Sequence, residues 1–172
     1  MKVYDGTQTD QRTDEPTEQI KVGIAEYDVT TDGAALTTSG LGSCIGVAVH
    51  DSESGVAGLV HVMLPTADGN DGARAKFADT GVEALIEALE DAGGDRRHME
   101  AKIAGGSDML DFSENGSSIG TRNAQTVRET LADLGVSLVG EDVGGDHGRS
   151  LKLRARTGDL VVKSANQEAT TL

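Results

Sequence analysis

The sequence predicts an α/β fold: a single layered domain with mixed or antiparallel sheets and two main helices. Three observations carry that expectation. Two segments repeat apolar residues at helical spacing, with Val82, Leu85, Ile86 and Leu89 in one and Val127, Leu131 and Leu134 in the other. Short runs rich in Val, Ile and Leu, bounded by glycine-containing turns, recur before, between and after them. Strands and helices also follow in irregular order, which suits a layered body better than strict βαβ alternation. A length of 172 residues fits one domain with a full core. With no Trp and only two each of Tyr and Phe, that core has to be built from Val, Leu, Ile and Ala.

Residues 1–18 are polar, rich in Thr, Gln and Asp, and include Pro16, so a flexible tail is expected there. The stretch IKVGIAEYDVT (20–30) alternates Ile20, Val22 and Ile24 with polar or small residues, as a half-buried strand does. AALTT (34–38) is a second short strand. CIGVAVHD (44–51) and VAGLVHVML (56–64) flank the turn-like SESG and read as a hairpin. A helix is expected within 71–94, ended by Gly93 and Gly94, although Gly81 weakens its middle. MEAKIAGG (99–106) is a brief strand, GSDMLDFSENGSS a loop, and 119–135 a second helix. Strands follow at 136–143, 150–156 and 159–165, which gives one domain over 19–165 and a tail at 166–172.

Fifteen Lys plus Arg against 29 Asp plus Glu leave a formal charge of −14. Unaided binding to nucleic acid or anionic lipid, which depends on cationic contacts to phosphates, is not expected. A solvated acidic surface accounts for the charge, and an environment of high salt would fit the same numbers. The single cysteine, Cys44, has no partner for an intramolecular disulfide or a structural zinc site, which suits a reducing cytoplasm. No apolar run has the length of a signal peptide or of a membrane span.

The hairpin yields a chemical expectation through its register. Opposing Ile45 to Val62 and Val47 to Val60 sets β-branched residues against each other on one face. The other face then carries Cys44, Gly46 and Ala48 on one strand and His61 and Met63 on the next, with His61 opposite Gly46 and diagonal to Cys44. A thiol and an imidazole so placed suit nucleophilic catalysis, with small Gly46 and Ala48 leaving an open floor for a substrate. The imidazole is expected to lower the thiol pKa. Backbone N–H groups of the loop SGLGSC are candidates for an oxyanion site, and Thr37, Thr38, Ser39 and Ser43 offer hydroxyls to orient the histidine. The residues alone leave a second reading open, in which Cys44 is a packed small hydrophobe and His61 a satisfied core residue. A one-residue slip of register would separate the pair.

Other candidates are weaker. GGSDML and GGDHGR lack the Gly-Lys-Ser/Thr of a phosphate loop. Asp146 and His147 offer two metal ligands without a third, and His50 and His98 read as surface or structural residues. Ser43 lacks the strand-turn-helix setting of a serine nucleophile.

The motifs LGSCIGVAVHD, GLVHVMLP, AKIAGGSDML, IGTRNAQTVRETLADLGV and EDVGGDHGRSLKLRARTGDLVVK, in this order over residues 20–165, resemble the chemoreceptor glutamine deamidase family, CheD. The resemblance implies hydrolysis of glutamine side chains on cytoplasmic helices of methyl-accepting chemotaxis receptors, giving glutamate and ammonia. It implies Cys44 as nucleophile, His61 as base and acid, and Thr38 as third member, with Thr37 adjacent. Gly42 and Ser43 would support the oxyanion. No metal or organic cofactor is implied. The family is also similar, in fold and in its Cys-His pair, to the catalytic domain of cytotoxic necrotising toxins. It further implies binding to the phosphatase CheC, for which Met109, Leu110 and Phe112 in GGSDMLDF are candidate contacts, or alternatively plugs of the core edge. The alternative function is a largely non-catalytic adaptor that regulates CheC or the receptor array, and reactivity of the Cys44 thiol separates the two.

Overall fold

The computed structural model describes residues 19–69, 72–108, 118–165 and 167–172. Among these described residues, ten strands and two α-helices follow in the order β1 (Gln19–Lys21), β2 (Tyr27–Thr30), β3 (Ala35–Leu41), β4 (Ile45–Asp51), β5 (Val56–Val62), α1 (Ala78–Asp91), β6 (Met99–Gly105), α2 (Ile119–Leu134), β7 (Ser137–Val143), β8 (Arg149–Arg154), β9 (Asp159–Ser164) and β10 (Thr170–Thr171). They form two five-stranded sheets, ordered β1-β3-β8-β9-β10 and β2-β5-β4-β6-β7. Each is mixed, because β1 pairs β3 and β6 pairs β7 in parallel while the other ladders are antiparallel.

Three layers result. One face of the β2-β5-β4-β6-β7 sheet sends Ile45, Val47, Val49, Val60 and Val62 against Val82, Leu85 and Ile86 of α1 and Val127 and Leu131 of α2. Its other face sends Ala48, Ala57, Leu59 and Ala104 against Leu36, Leu41, Leu151, Leu153 and Leu160 of the second sheet. Both faces of β4 and β5 are therefore dry, and each alternate residue enters a different core. This overturns the open floor expected beside Cys44. Ala48 is buried, and at Gly46 the space a Cβ would need is filled by Leu151 and Leu41.

The helices begin and end where local chemistry permits. Ser118 caps α2 by accepting a hydrogen bond from the Thr121 N–H, and Gly135 closes it in the left-handed conformation with φ of 76°. The segment expected as one helix from 71 starts instead with a 3₁₀ turn at Arg74–Lys76 before α1. Gly81 is tolerated inside α1 because Val62 and Ala75 pack where its side chain would be.

Two expectations fail for tertiary reasons. The run 20–30 is two strands in different sheets, because residues 23–26 turn, with Ala25 at a φ of 62° and the Glu26 carboxylate accepting from the Gly23 N–H. Within the expected tail at 166–172, the described residues 167–172 close back on the body. Thr170 and Thr171 pair with β9, Leu172 and Leu160 exchange backbone hydrogen bonds, and Lys102 Nζ donates to the Leu172 carbonyl at 2.8 Å. Among the described residues, no helix is long and apolar enough to cross a membrane.

Candidate active site

The β4–β5 ladder has Ile45 opposite Val62, Gly46 opposite His61 and Val47 opposite Val60, the register read from the β-branched pairs. Cys44 lies two residues before Gly46 and packs at the edge of the inter-sheet core, on the side of β4 toward which His61 points. His61 is fully buried between the sheets and Cys44 is half-buried.

One hydrogen-bond chain fixes the histidine. The Thr38 hydroxyl lies 2.7 Å from the Val22 carbonyl and 2.8 Å from His61 Nδ1. A hydroxyl has one proton and the carbonyl can only accept, so Thr38 donates to Val22 and accepts from Nδ1–H. The imidazole then carries its proton on Nδ1 and presents a lone pair at Nε2, which has no hydrogen-bond partner among the described residues. Thr38 turns inward in β3, whereas Thr37 opposes Lys152 on the outward side, so the geometry distinguishes the two threonines.

Burial pushes the His61 imidazole down from its ordinary pKa, keeping it neutral near pH 7. Burial also pushes the Cys44 thiol up, against the opposing pull of its own backbone N–H. The expected lowering of the thiol pKa is not what the site produces. At rest it holds a neutral thiol and a neutral imidazole, and proton transfer belongs to the reaction itself.

The loop before Cys44 is held by its carbonyls. The Ser107 N–H donates to the Gly42 carbonyl at 2.9 Å, Asn123 Nδ2 to the Ser43 carbonyl at 2.8 Å, and the Gly106 N–H to the Cys44 carbonyl at 2.8 Å. In a trans peptide the N–H points opposite to the C=O. Fixing the Gly42 and Ser43 carbonyls therefore turns the Ser43 and Cys44 N–H groups to the opposite side, where that of Cys44 faces its own thiol. Amides held in this way are candidates to receive a developing oxyanion.

Asn123 is the residue that sequence reasoning missed. It is fully buried, and its Nδ2 also donates to the Met63 carbonyl at 2.9 Å, tying the Cys44 loop to the end of the strand that carries His61. Arg149, likewise buried, bonds the carbonyls of Gly105 and Gly144 and the carboxylate of Asp142, bracing the neighbouring turns. The other histidines lie apart from this arrangement. His50 stands against Gly158, His98 faces Glu53 at 3.6 Å, and His147 lies 3.9 Å from Asp146. Among the described residues, no three His, Cys, Asp or Glu side chains gather as metal ligands. Met109, Leu110 and Phe112, the candidate partner contacts, lie outside the described residues.

A family model described as CheD chemotactic sensory transduction matches residues 63–164, a span that begins just after His61. The chain is 68% identical to the probable chemoreceptor glutamine deamidase CheD of Haloarcula marismortui, over the whole of both chains. It is 50% identical to the protein of the same description from Natronomonas pharaonis, over 90% of this chain and 93% of that one. It is 41% identical to the chemoreceptor glutamine deamidase CheD of Thermotoga maritima, over 83% of this chain and 89% of that one. Among solved structures, a Neisseria meningitidis protein of the family DUF152 aligns with a TM-score of 0.51 at 13% identity, covering 75% of this chain and 64% of that one, a likeness of fold alone.

Proposed function

The chain belongs to the CheD family, and from that premise we propose that it deamidates glutamine side chains of chemotaxis receptors through Cys44, His61 and Thr38. The observation that carries the reading is the Val22–Thr38–His61 chain, which leaves the Nε2 lone pair of a buried neutral imidazole without a partner on the side of β4 that Cys44 occupies.

The reaction follows from these groups. His61 Nε2 takes the Cys44 proton as Sγ bonds to the carboxamide carbon, and the Ser43 and Cys44 N–H groups receive the negative charge on oxygen. Collapse breaks the C–N bond while His61 returns its proton to nitrogen, releasing ammonia and leaving a thioester. His61 then deprotonates a water that attacks the same carbon. The thiolate leaves with a proton returned from His61, and the product is glutamate. Throughout, Thr38 holds Nδ1–H and so keeps Nε2 as the working atom.

The cytoplasmic segments of receptors are the substrate in this reading, and CheC is the expected second partner. The likeness to cytotoxic necrotising toxins belongs to the same reading, as a Cys-His pair carried on a layered α/β body. Mass spectrometry of a receptor cytoplasmic fragment incubated with the native chain, Cys44→Ala and His61→Ala tests it. Glutamines converted by the native chain and by neither variant support the assignment. Binding without conversion by any of them returns Cys44 to a packing role and favours the adaptor.

A further inference from the structure

The outward face of the β1-β3-β8-β9 sheet departs from the charge of the rest of the molecule. Register places Lys21, Thr37, Lys152 and Val161 in one row across four strands, with Ser150 opposite Lys163 and Arg154 opposite Asp159 beside it. A groove of about 660 Å³ runs over this face, and its lining includes Lys21, Lys152, Arg154 and Lys163. Lys21, Arg154 and Lys163 are exposed. Elsewhere Arg74, Arg96, Arg97, Arg128 and Arg149 each pair with a carboxylate. Among the described residues, no carboxylate forms an ion pair with Lys21, Arg154 or Lys163. In a chain of charge −14, the grouping of Lys21, Arg154 and Lys163 on one face, none of them ion-paired among the described residues, runs against the acidic balance of the whole.

We infer that this face docks the carboxylate-bearing stretch of the receptor segment beside the glutamine under attack. The inference rests on the deamidase reading above. Each turnover replaces a neutral carboxamide by a carboxylate, so a segment with several reactive glutamines grows more anionic as the reaction proceeds. Such a segment is repelled by the net charge of the enzyme and needs one local surface of opposite sign to approach.

The position fits that role. The groove lining includes Thr38 and Ser39 of β3, the strand that orients His61 and leads into the Cys44 loop. Three interstrand spacings separate β1 from β9, roughly 14 Å, within the range of carboxylates two to three turns apart on a helix. Docking there would hold a carboxylate already made while a neighbouring glutamine meets Cys44.

The test compares the full-length chain with a Lys21→Gln/Arg154→Gln/Lys163→Gln variant, its fold checked by circular dichroism. Two substrates are used: a receptor cytoplasmic fragment with glutamates at the flanking reactive positions, and a short uncharged glutamine peptide. The variant should raise KM for the anionic fragment about tenfold, with kcat and the KM for the uncharged peptide unchanged, and should flatten the salt dependence. An unchanged KM for the anionic fragment overturns the proposal. If the native chain converts neither substrate, the deamidase reading fails, and docking is then decided by titrating the fragment at low salt. Binding by the native chain that the variant loses sustains the face as a docking surface, while equal binding by both removes it. Native self-association that the variant abolishes would assign the face to a second copy of the chain and also overturn the proposal.

Discussion

Thr38 has one hydroxyl proton and gives it to the Val22 carbonyl, so its oxygen can serve His61 only as an acceptor. Thr38→Val keeps the shape and removes that acceptor, leaving a buried Nδ1–H without a partner, a penalty of about 1–3 kcal/mol. If it falls on the reacting geometry, kcat should drop roughly 10- to 100-fold with KM little changed, and Thr38→Ser should restore most of it. Steady-state kinetics of both variants check this. The pH profile follows from the same site. In the proposed reaction His61 serves as a base only when neutral, and burial holds its pKa below the ordinary 6.5. The acid limb of kcat/KM should therefore lie below pH 6.5, with activity lost as pH falls through the depressed value. The shared side of Cys44 and His61 was legible in sequence, because register follows the Ile45–Val62 and Val47–Val60 pairs, whereas the choice among the hydroxyls of Thr37, Thr38, Ser39 and Ser43 was not. Nor was Asn123, because its partners are backbone carbonyls 80 and 60 residues away.

At the scale of elements, the site is the meeting of the β3–β4 loop, the end of β6 and the first turns of α2. Gly105 has a φ of 117°, and a Cβ there would strike the Cys44 carbonyl, while Gly120 of α2 sits against the carbonyls of Gly106 and Ser107. Gly105→Ala is thus strained in backbone and crowded at once. A loss of stability of about 1–3 kcal/mol or more is expected from denaturant unfolding. Asn123→Leu keeps the bulk on α2 but strips the donors from the Ser43 and Met63 carbonyls. Unfolding should show a loss of about 1–3 kcal/mol, and kcat on a receptor fragment should fall because the Cys44 amide is no longer fixed. The helices themselves were legible from apolar spacing and, for α1, from the Gly93–Gly94 pair that follows it. The break at 23–26 was not, since the alternation of Ile20, Val22 and Ile24 continues through a turn that sends β1 and β2 into different sheets.

For the whole molecule, the net charge of −14 is carried on a body whose interior is aliphatic and layered. Mutual repulsion of those charges opposes the compact state and weakens as salt shortens its range, from about 30 Å at 0.01 M to about 3 Å at 1 M. The melting temperature should therefore rise as monovalent salt increases over that range, with most of the gain at its lower end. Differential scanning calorimetry across a salt series checks this, and a flat response would mean that the acidic surface is neutral to folding.

The sequence by itself determined the α/β class, the two helices, the hairpin register and the shared side of Cys44 and His61, because each is set by local periodicity and neighbour pairing. The tertiary structure alone decided that the second sheet closes over the hairpin, raising the thiol and lowering the imidazole by removing both from water. It also decided which of Thr37 and Thr38 meets His61, and it recruited Asn123 to the Cys44 loop. These depend on which distant segments share a layer, and no short-range pattern in the chain encodes that choice.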